Sequence, residues 1–189
     1  MEKIKIITDS TLDLPAELIR EKNIEVLPLL INFGEESYLD GVEITTKEMI
    51  DKINATGVLP TTAQVTPNRF EETFKKYLDE GYKIVALTLS SDMSGTYQSA
   101  CIAKDMLESD DIVVIDSRNV TSGLGLLVLK ACQFRDKGLG IKEIEEEILK
   151  AIPKVKSSLN FESLENLVRG GRLSKTAGTI GSVLGLRLI

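Results

Sequence analysis

The chain has 189 residues, 42% hydrophobic and 28% charged, with a net charge of -6. That balance suits a globular protein of one domain, or one domain plus part of another, and argues against nucleic acid as a partner. There is no histidine and there are only two cysteines, Cys101 and Cys132, so imidazole catalysis and a Ser-His-Asp triad are excluded, and neither a metal nor another cofactor is expected.

In chain order, Ile4-Lys5-Ile6-Ile7 predicts a first strand that ends in Thr8-Asp9-Ser10-Thr11. Pro15 suits the first turn of a helix running to about Lys22. Residues 24–31 predict a second strand segment, interrupted by Pro28, which favours an edge or a bend. Residues 32–43 read as irregular and acidic. Thr45 or Thr46 caps a helix through Met49, Ile50 and Ile53, and Gly57 stops it. Residues 60–67 (PTTAQVTP) read as a loop held between two prolines. Pro67 then opens a helix whose Phe70, Phe74, Tyr77 and Leu78 form a buried stripe, with Gly81 at its end.

The run Ile84-Val85-Ala86-Leu87-Thr88-Leu89 has strand length and looks buried on both faces, as in a parallel sheet. It leads into the hydroxyl-rich turn Ser90-Ser91-Asp92-Met93-Ser94-Gly95-Thr96. A helix follows with Tyr97, Cys101 and Ile102 at helical spacing, continuing to Met106 and Leu107. A helix start has unpaired N–H groups and the positive end of the dipole, so it favours an anion. Ser94 alone reads equally well as a plain helix cap. Ile112-Val113-Val114-Ile115 is a further strand, ending in Asp116-Ser117-Arg118. A small-residue turn through Gly123 and Gly125 leads to an apolar helix ending near Gly138. Residues 141–152 form an amphipathic helix with Glu145-Glu146-Glu147 on its solvated face.

Strands alternating with helices indicate an α/β fold with a doubly wound, mostly parallel sheet over residues 1–153. Ligands in that architecture bind beyond the carboxyl ends of the strands, where TDS, LSS and DSR gather polar groups. After Pro153 the character changes, and residues 154–189 read as the incomplete start of a second α/β lid domain. Leu159-Asn160-Phe161 suggests a short strand, and helices are expected over 163–168 and 174–184. Arg169-Gly170-Gly171-Arg172 lies between them, and Leu186-Arg187-Leu188-Ile189 looks like an unfinished strand. Apolar residues short of covering elements there would favour self-association. No apolar run approaches the roughly 20 residues of a membrane span, and no leader precedes the first strand, so a cytoplasmic protein without stable membrane anchoring is expected.

Four blocks together resemble the DegV family of fatty-acid-binding proteins: TDSTLDLP at 8–15, PTTAQVTP at 60–67, SSDMSGTYQSA at 90–100 and RGGRLSKTAGTIGSVLG at 169–185. The resemblance implies an N-terminal α/β domain, a second α/β domain, and one long-chain fatty acid enclosed between them. It also implies presentation of that fatty acid to a separate fatty acid kinase, which makes the acyl phosphate. By the same resemblance Thr62 and Ser94 hold the carboxylate. Thr61, Gln64 and Gly95 lie in the same motifs, and Arg172 acts near the carboxylate or the kinase interface. Two departures stand out. Ala63 occupies a position where the family usually has serine. Family members also run on for roughly a further half domain, with a histidine near the carboxylate, so this chain reads as truncated.

Three functions are compatible with this reading. The leading one is binding and presentation of a fatty acid, without catalysis. The second is an enzyme acting on a small anionic metabolite at the same strand edge, with Ser94 as nucleophile and Asp92 or Asp116 as the only nearby bases. The third is a ligand-free remnant.

Overall fold

The computed structural model describes residues 2–159 and 164–173. Contacts divide the chain into two compact units, Met1–Val155 and Lys156–Ile189. In the first, the elements run β1 (Ile4–Asp9), α1 (Ala16–Glu21), β2 (Ile24–Leu27), β3 (Leu30–Phe33), β4 (Glu36–Leu39) and α2 (Thr46–Thr56). They continue with β5 (Thr61–Ala63), α3 (Pro67–Asp79), β6 (Lys83–Thr88), α4 (Thr96–Leu107), β7 (Ile112–Asp116), α5 (Thr121–Asp136) and α6 (Ile141–Ala151).

The expected doubly wound parallel sheet is present, with strand order β2-β1-β6-β7. Alternate side chains of a strand point to opposite faces, and both faces here are covered. Ile6, Val85, Leu87 and Val113 pack with Leu124, Leu127 and Val128 of α5 and Ile144 and Ile148 of α6. Ile7, Ile84, Ala86 and Ile112 pack on the other side with Phe70, Phe74 and Tyr77 of α3 and Ala100 and Ala103 of α4. This is why β6 and β7 read as unbroken apolar runs. Each fully buried aliphatic or aromatic side chain stabilises the fold by about 1.5–3 kcal/mol, and the Phe70 and Phe74 rings, 5.5 Å apart and inclined at 51°, add a tilted aromatic contact.

A second, antiparallel sheet of order β4-β3-β5 corrects three readings. Residues 24–31 are two strands, one in each sheet, because Pro28 breaks the run and redirects the chain. Part of the stretch 32–43 is the hairpin of β3 and β4, with Phe33 opposite Glu36. Gly34 at φ 62 supplies the left-handed turn that the two-residue loop requires. Within the supposed loop 60–67, β5 pairs with β3 through Leu30–Ala63, Ile31–Thr62 and Asn32–Thr61. Ile31, Phe33 and Ile44 form a small core under this sheet.

The helix boundaries follow local chemistry. Thr45 caps α2 with a reciprocal Glu48 capping box, and Gly57 closes it in the left-handed conformation. Thr66 caps α3, with Pro67 in its first turn. Two readings need revision. Gly123 and Gly125 lie inside α5, where both are buried, rather than in a turn before it. On α4 the buried face is Thr96, Ser99, Ala100 and Ala103, whereas Ile102 and Met106 are exposed. Small residues on that face let α4 come close to the aromatic face of α3.

In the second unit, α7 (Glu165–Arg169) ends in a turn with Gly171 at φ 75. The amide of Gly171 donates to Val168 O (3.1 Å) and that of Arg172 to Leu167 O (2.9 Å). Of the strand expected at 159–161 only Leu159 is described, without strand pairing, and the rest of it, the helix at 174–184 and the end strand at 186–189 fall on residues outside those described.

Candidate functional site

The site begins where β1 and β6 end. Asp9 is buried, and its Oδ2 accepts the backbone N–H of Leu89 at 2.7 Å. Its Oδ1 accepts the Thr11 amide (3.0 Å) and hydroxyl (2.6 Å). Burial pushes the Asp9 carboxyl above its usual range, while these hydrogen bonds oppose the shift. The chain leaving β6 is thus pinned to the end of β1. It then turns at Ser90, whose N–H donates to Asn119 O (2.8 Å) and whose carbonyl accepts from Met93 (3.0 Å) and Ser94 (3.2 Å).

This turn sets Ser94 and Gly95 at the mouth of α4. Ser94 is half-buried; its Oγ accepts the Thr96 N–H at 3.3 Å and lies 3.0 Å from Thr96 Oγ1. It stands one residue before the N-cap, Gly95, and bonds only the first helical residue, so α4 has no side-chain cap and the plain-cap reading of Ser94 does not hold. The amides of Tyr97 and Gln98 sit in the first turn, where a helix offers no acceptor of its own. The bend thus combines a hydroxyl, N–H groups and the positive end of a 12-residue helix, the elements an anion site needs.

The structure brings Gln64 and Gly95 together. A Cβ at Gly95 would collide with Gln64 Oε1 and lie 2.9 Å from Gln64 Cδ. Gln64 Nε2 donates to the buried Ser99 Oγ at 2.9 Å. Thr61 and Thr62 stand just before this clasp on β5, both exposed. Among the described residues neither hydroxyl has a hydrogen-bond partner. Ala63 is half-buried. Arg172 is exposed in the second unit, with Nη1 donating to Gly170 O at 2.6 Å.

Sequence reasoning missed Ser99 and the anchoring role of Asp9. Ser99 carried a signal, because it is a polar residue within the small-residue face of a helix that had to be buried.

At the neighbouring strand end, Asp116 accepts from Ser91 N–H (3.1 Å) and Oγ–H (2.6 Å), from the Arg118 amide (3.0 Å) and from Arg118 Nε (3.0 Å). Arg118 Nη1 also reaches Asp92 at 3.3 Å. A cavity of about 470 Å³ opens beside β7, lined by Ser91, Tyr97, Asp116, Glu145, Leu149 and Ile152 among others. A hydrogen bond with Cys101, aided by burial, pushes the Tyr97 hydroxyl up to about 12. Among the described residues, no group of three or more His, Cys, Asp or Glu side chains could hold a metal ion. No helix among them is long and apolar enough to cross a membrane.

The sequence pattern of the DegV family, described as an uncharacterised protein family, matches residues 3–189. The chain belongs to the DegV family. A DegV domain-containing protein of Clostridium acetobutylicum is 61% identical over all of this chain and 68% of its own length. One from Clostridium perfringens is 59% identical over the same shares. Among solved structures, a DegV family protein of Thermus thermophilus described by its fatty acid binding superposes with a TM-score of 0.84 at 30% identity. That superposition covers 96% of this chain and 65% of that one. DegV of Bacillus subtilis, described as a fatty acid binding protein, gives 0.83 at 28% identity, covering 96% of this chain and 64% of that one. The chain thus spans about two thirds of the length of the DegV proteins it matches. The resemblance drawn from the four sequence blocks is correct at the level of family and fold.

Proposed function

We propose that this chain binds a long-chain fatty acid whose carboxylate sits at the mouth of α4, held by the hydroxyls of Ser94 and Thr62. The observation that carries this reading is the clasp of Gln64 over Gly95, which ties the segment bearing Thr62 to the helix start bearing Ser94. A carboxylate there would meet hydroxyl and amide donors without a full positive charge, strengthened by the helix dipole. Thr61 is the neighbouring hydroxyl on the same strand, but strand alternation turns it to the face opposite Thr62. The fatty-acid-binding descriptions of several DegV relatives support the ligand class. Arg172 and presentation to a fatty acid kinase rest on the family resemblance.

Binding is favoured over catalysis by the partners of the nearby acids. Asp116 is held by Ser91 and Arg118, and Asp92 pairs with Arg118. Both are thereby directed to groups other than Ser94, which itself bonds Thr96. The cavity beside β7 carries the carboxylates of Asp116 and Glu145 together with Arg118, whose guanidinium is already paired with Asp116 and Asp92, a poor lining for an anionic metabolite.

Mass spectrometry of a solvent extract from the purified chain tests the reading. A fatty acid at near-equal molar ratio is expected; a polar metabolite or no ligand would overturn it. Kinase presentation is tested by adding a fatty acid kinase and ATP to the loaded chain, with acyl phosphate as the expected product.

A further inference from the structure

We propose that Gln64 is a positioning residue that latches β5 to α4 through Ser99, and that position 95 is glycine to let the Gln64 side chain cross. The inference rests on the carboxylate site proposed above and assigns a role within it. Family likeness puts Gln64 and Gly95 among the residues near the ligand, but their geometry gives them a different task. The amide nitrogen of Gln64 is directed at Ser99 Oγ, 2.9 Å away, on the buried face of α4. Its amide oxygen lies over Gly95 so closely that a Cβ could not coexist with it. The helix mouth is therefore narrow at Gly95 because a protein side chain fills it.

The latch has a mechanical reason. β5 has three residues, pairs with β3 alone, and belongs to a different sheet from the strand that precedes α4. Between β5 and α3 the chain is anchored by Val65, which is fully buried in the α3–α4 core. Val65 fixes where the chain passes, and Gln64 fixes the setting of the preceding strand against the helix start. Thr62 lies two residues before the latch and Ser94 one residue before Gly95. The separation of the two hydroxyls thus depends on this hydrogen bond together with the Val65 anchor and the pairing of β5 with β3, and the Ser99 hydroxyl is its receiving end.

The test is a double-mutant cycle on Gln64→Ala and Ser99→Ala, read in two ways. In the ligand-free chain, hydrogen exchange of the amides of residues 61–65 should accelerate in each single variant, with no further acceleration in the double variant. In titrations with palmitic acid, each single variant should bind three- to tenfold more weakly, the worth of one neutral hydrogen bond, and the double variant no worse. The ratio of affinities for palmitic acid and 1-hexadecanol should fall with it, because the latch sets carboxylate donors and not the contacts of the tail. Weaker binding in Gln64→Ala with Ser99→Ala unchanged would overturn the proposal and make Gln64 a direct ligand contact. Unchanged exchange in both single variants would overturn it as well. If the unaltered chain fails to bind palmitic acid, the carboxylate reading falls and the exchange measurement still decides the latch.

Discussion

Asp9 at the end of β1 accepts the backbone N–H of Leu89 at 2.7 Å, joining residues 80 apart in sequence at the point where the site turn begins. Asp9→Asn replaces one acceptor oxygen by a donor nitrogen, which cannot accept from Leu89 and Thr11 together. A loss of about 1–3 kcal/mol is expected at neutral pH, the usual cost of leaving a buried donor unsatisfied.

The pH dependence of that loss has a definite sign. Burial raises the folded-state pKa of Asp9 above its ordinary value of 3.8. The folded chain therefore holds this proton more tightly than the unfolded chain. The resulting contribution is full below the ordinary value and fades as pH rises through the raised one. In denaturant unfolding of both proteins from about pH 3.5 to 7, the stability of the unaltered chain minus that of Asp9→Asn should shrink with rising pH. Growth of the difference would show that hydrogen bonding outweighs burial.

Ser94→Ala and Thr62→Ala should each weaken fatty acid binding roughly ten- to a hundredfold, corresponding to about 1.5–3 kcal/mol for a hydrogen bond to a charged group. Both residues lie outside the fully buried core, so the fold should survive. Ser109 accepts the Asp111 amide just before β7, at the opposite end of the sheet, and Ser109→Ala should leave binding unchanged. Titration of a fluorescent fatty acid, with circular dichroism as the folding control, measures all three. Unchanged affinity in both Ser94→Ala and Thr62→Ala would move the head group elsewhere.

Two glycines should respond differently to alanine. At Gly125 a Cβ would collide with the carbonyl oxygen of Leu12 and lie 2.9 Å from Leu14 Cδ2. Backbone cannot swing aside, so Gly125→Ala should destabilise by about 1–3 kcal/mol. At Gly95 the obstacle is the far end of a flexible side chain and φ is an ordinary -73. Gly95→Ala should therefore retain most of its stability while releasing the β5 segment. Denaturant midpoints give the first quantity, and hydrogen exchange over residues 61–65 gives the second.

The cysteines should be slow nucleophiles. Burial raises the Cys132 thiol from 9.0 to about 11, and burial also raises that of Cys101. Two pKa units reduce the thiolate fraction about a hundredfold at pH 8. Alkylation by iodoacetamide should therefore be slow at Cys132 in the folded chain, with the half-buried Cys101 reacting first. Addition of urea should abolish the difference. Equal native rates at both positions would contradict this assignment.

Where the signal was local or periodic, the chain alone determined the outcome. The apolar runs of β1, β6 and β7, the aromatic stripe of α3, the cap narrowed to Thr45 or Thr46 and the Gly57 stop each depend on residues within one or two turns. The four family motifs were legible for a different reason, being fixed strings of residue types. Tertiary structure decided what depended on partners distant in sequence. The antiparallel sheet is completed because Ile31 finds Thr62 far along the chain, and no three-residue segment such as β5 announces such a pairing. The buried face of α4 went to Thr96, Ser99, Ala100 and Ala103 instead of Ile102 and Met106, because small residues let the helix approach Phe70 and Phe74 closely. The bond from Gln64 to Ser99 spans 35 residues and two different elements. Its geometry follows from how those elements pack, since a side-chain hydrogen bond has no periodicity to leave in the sequence.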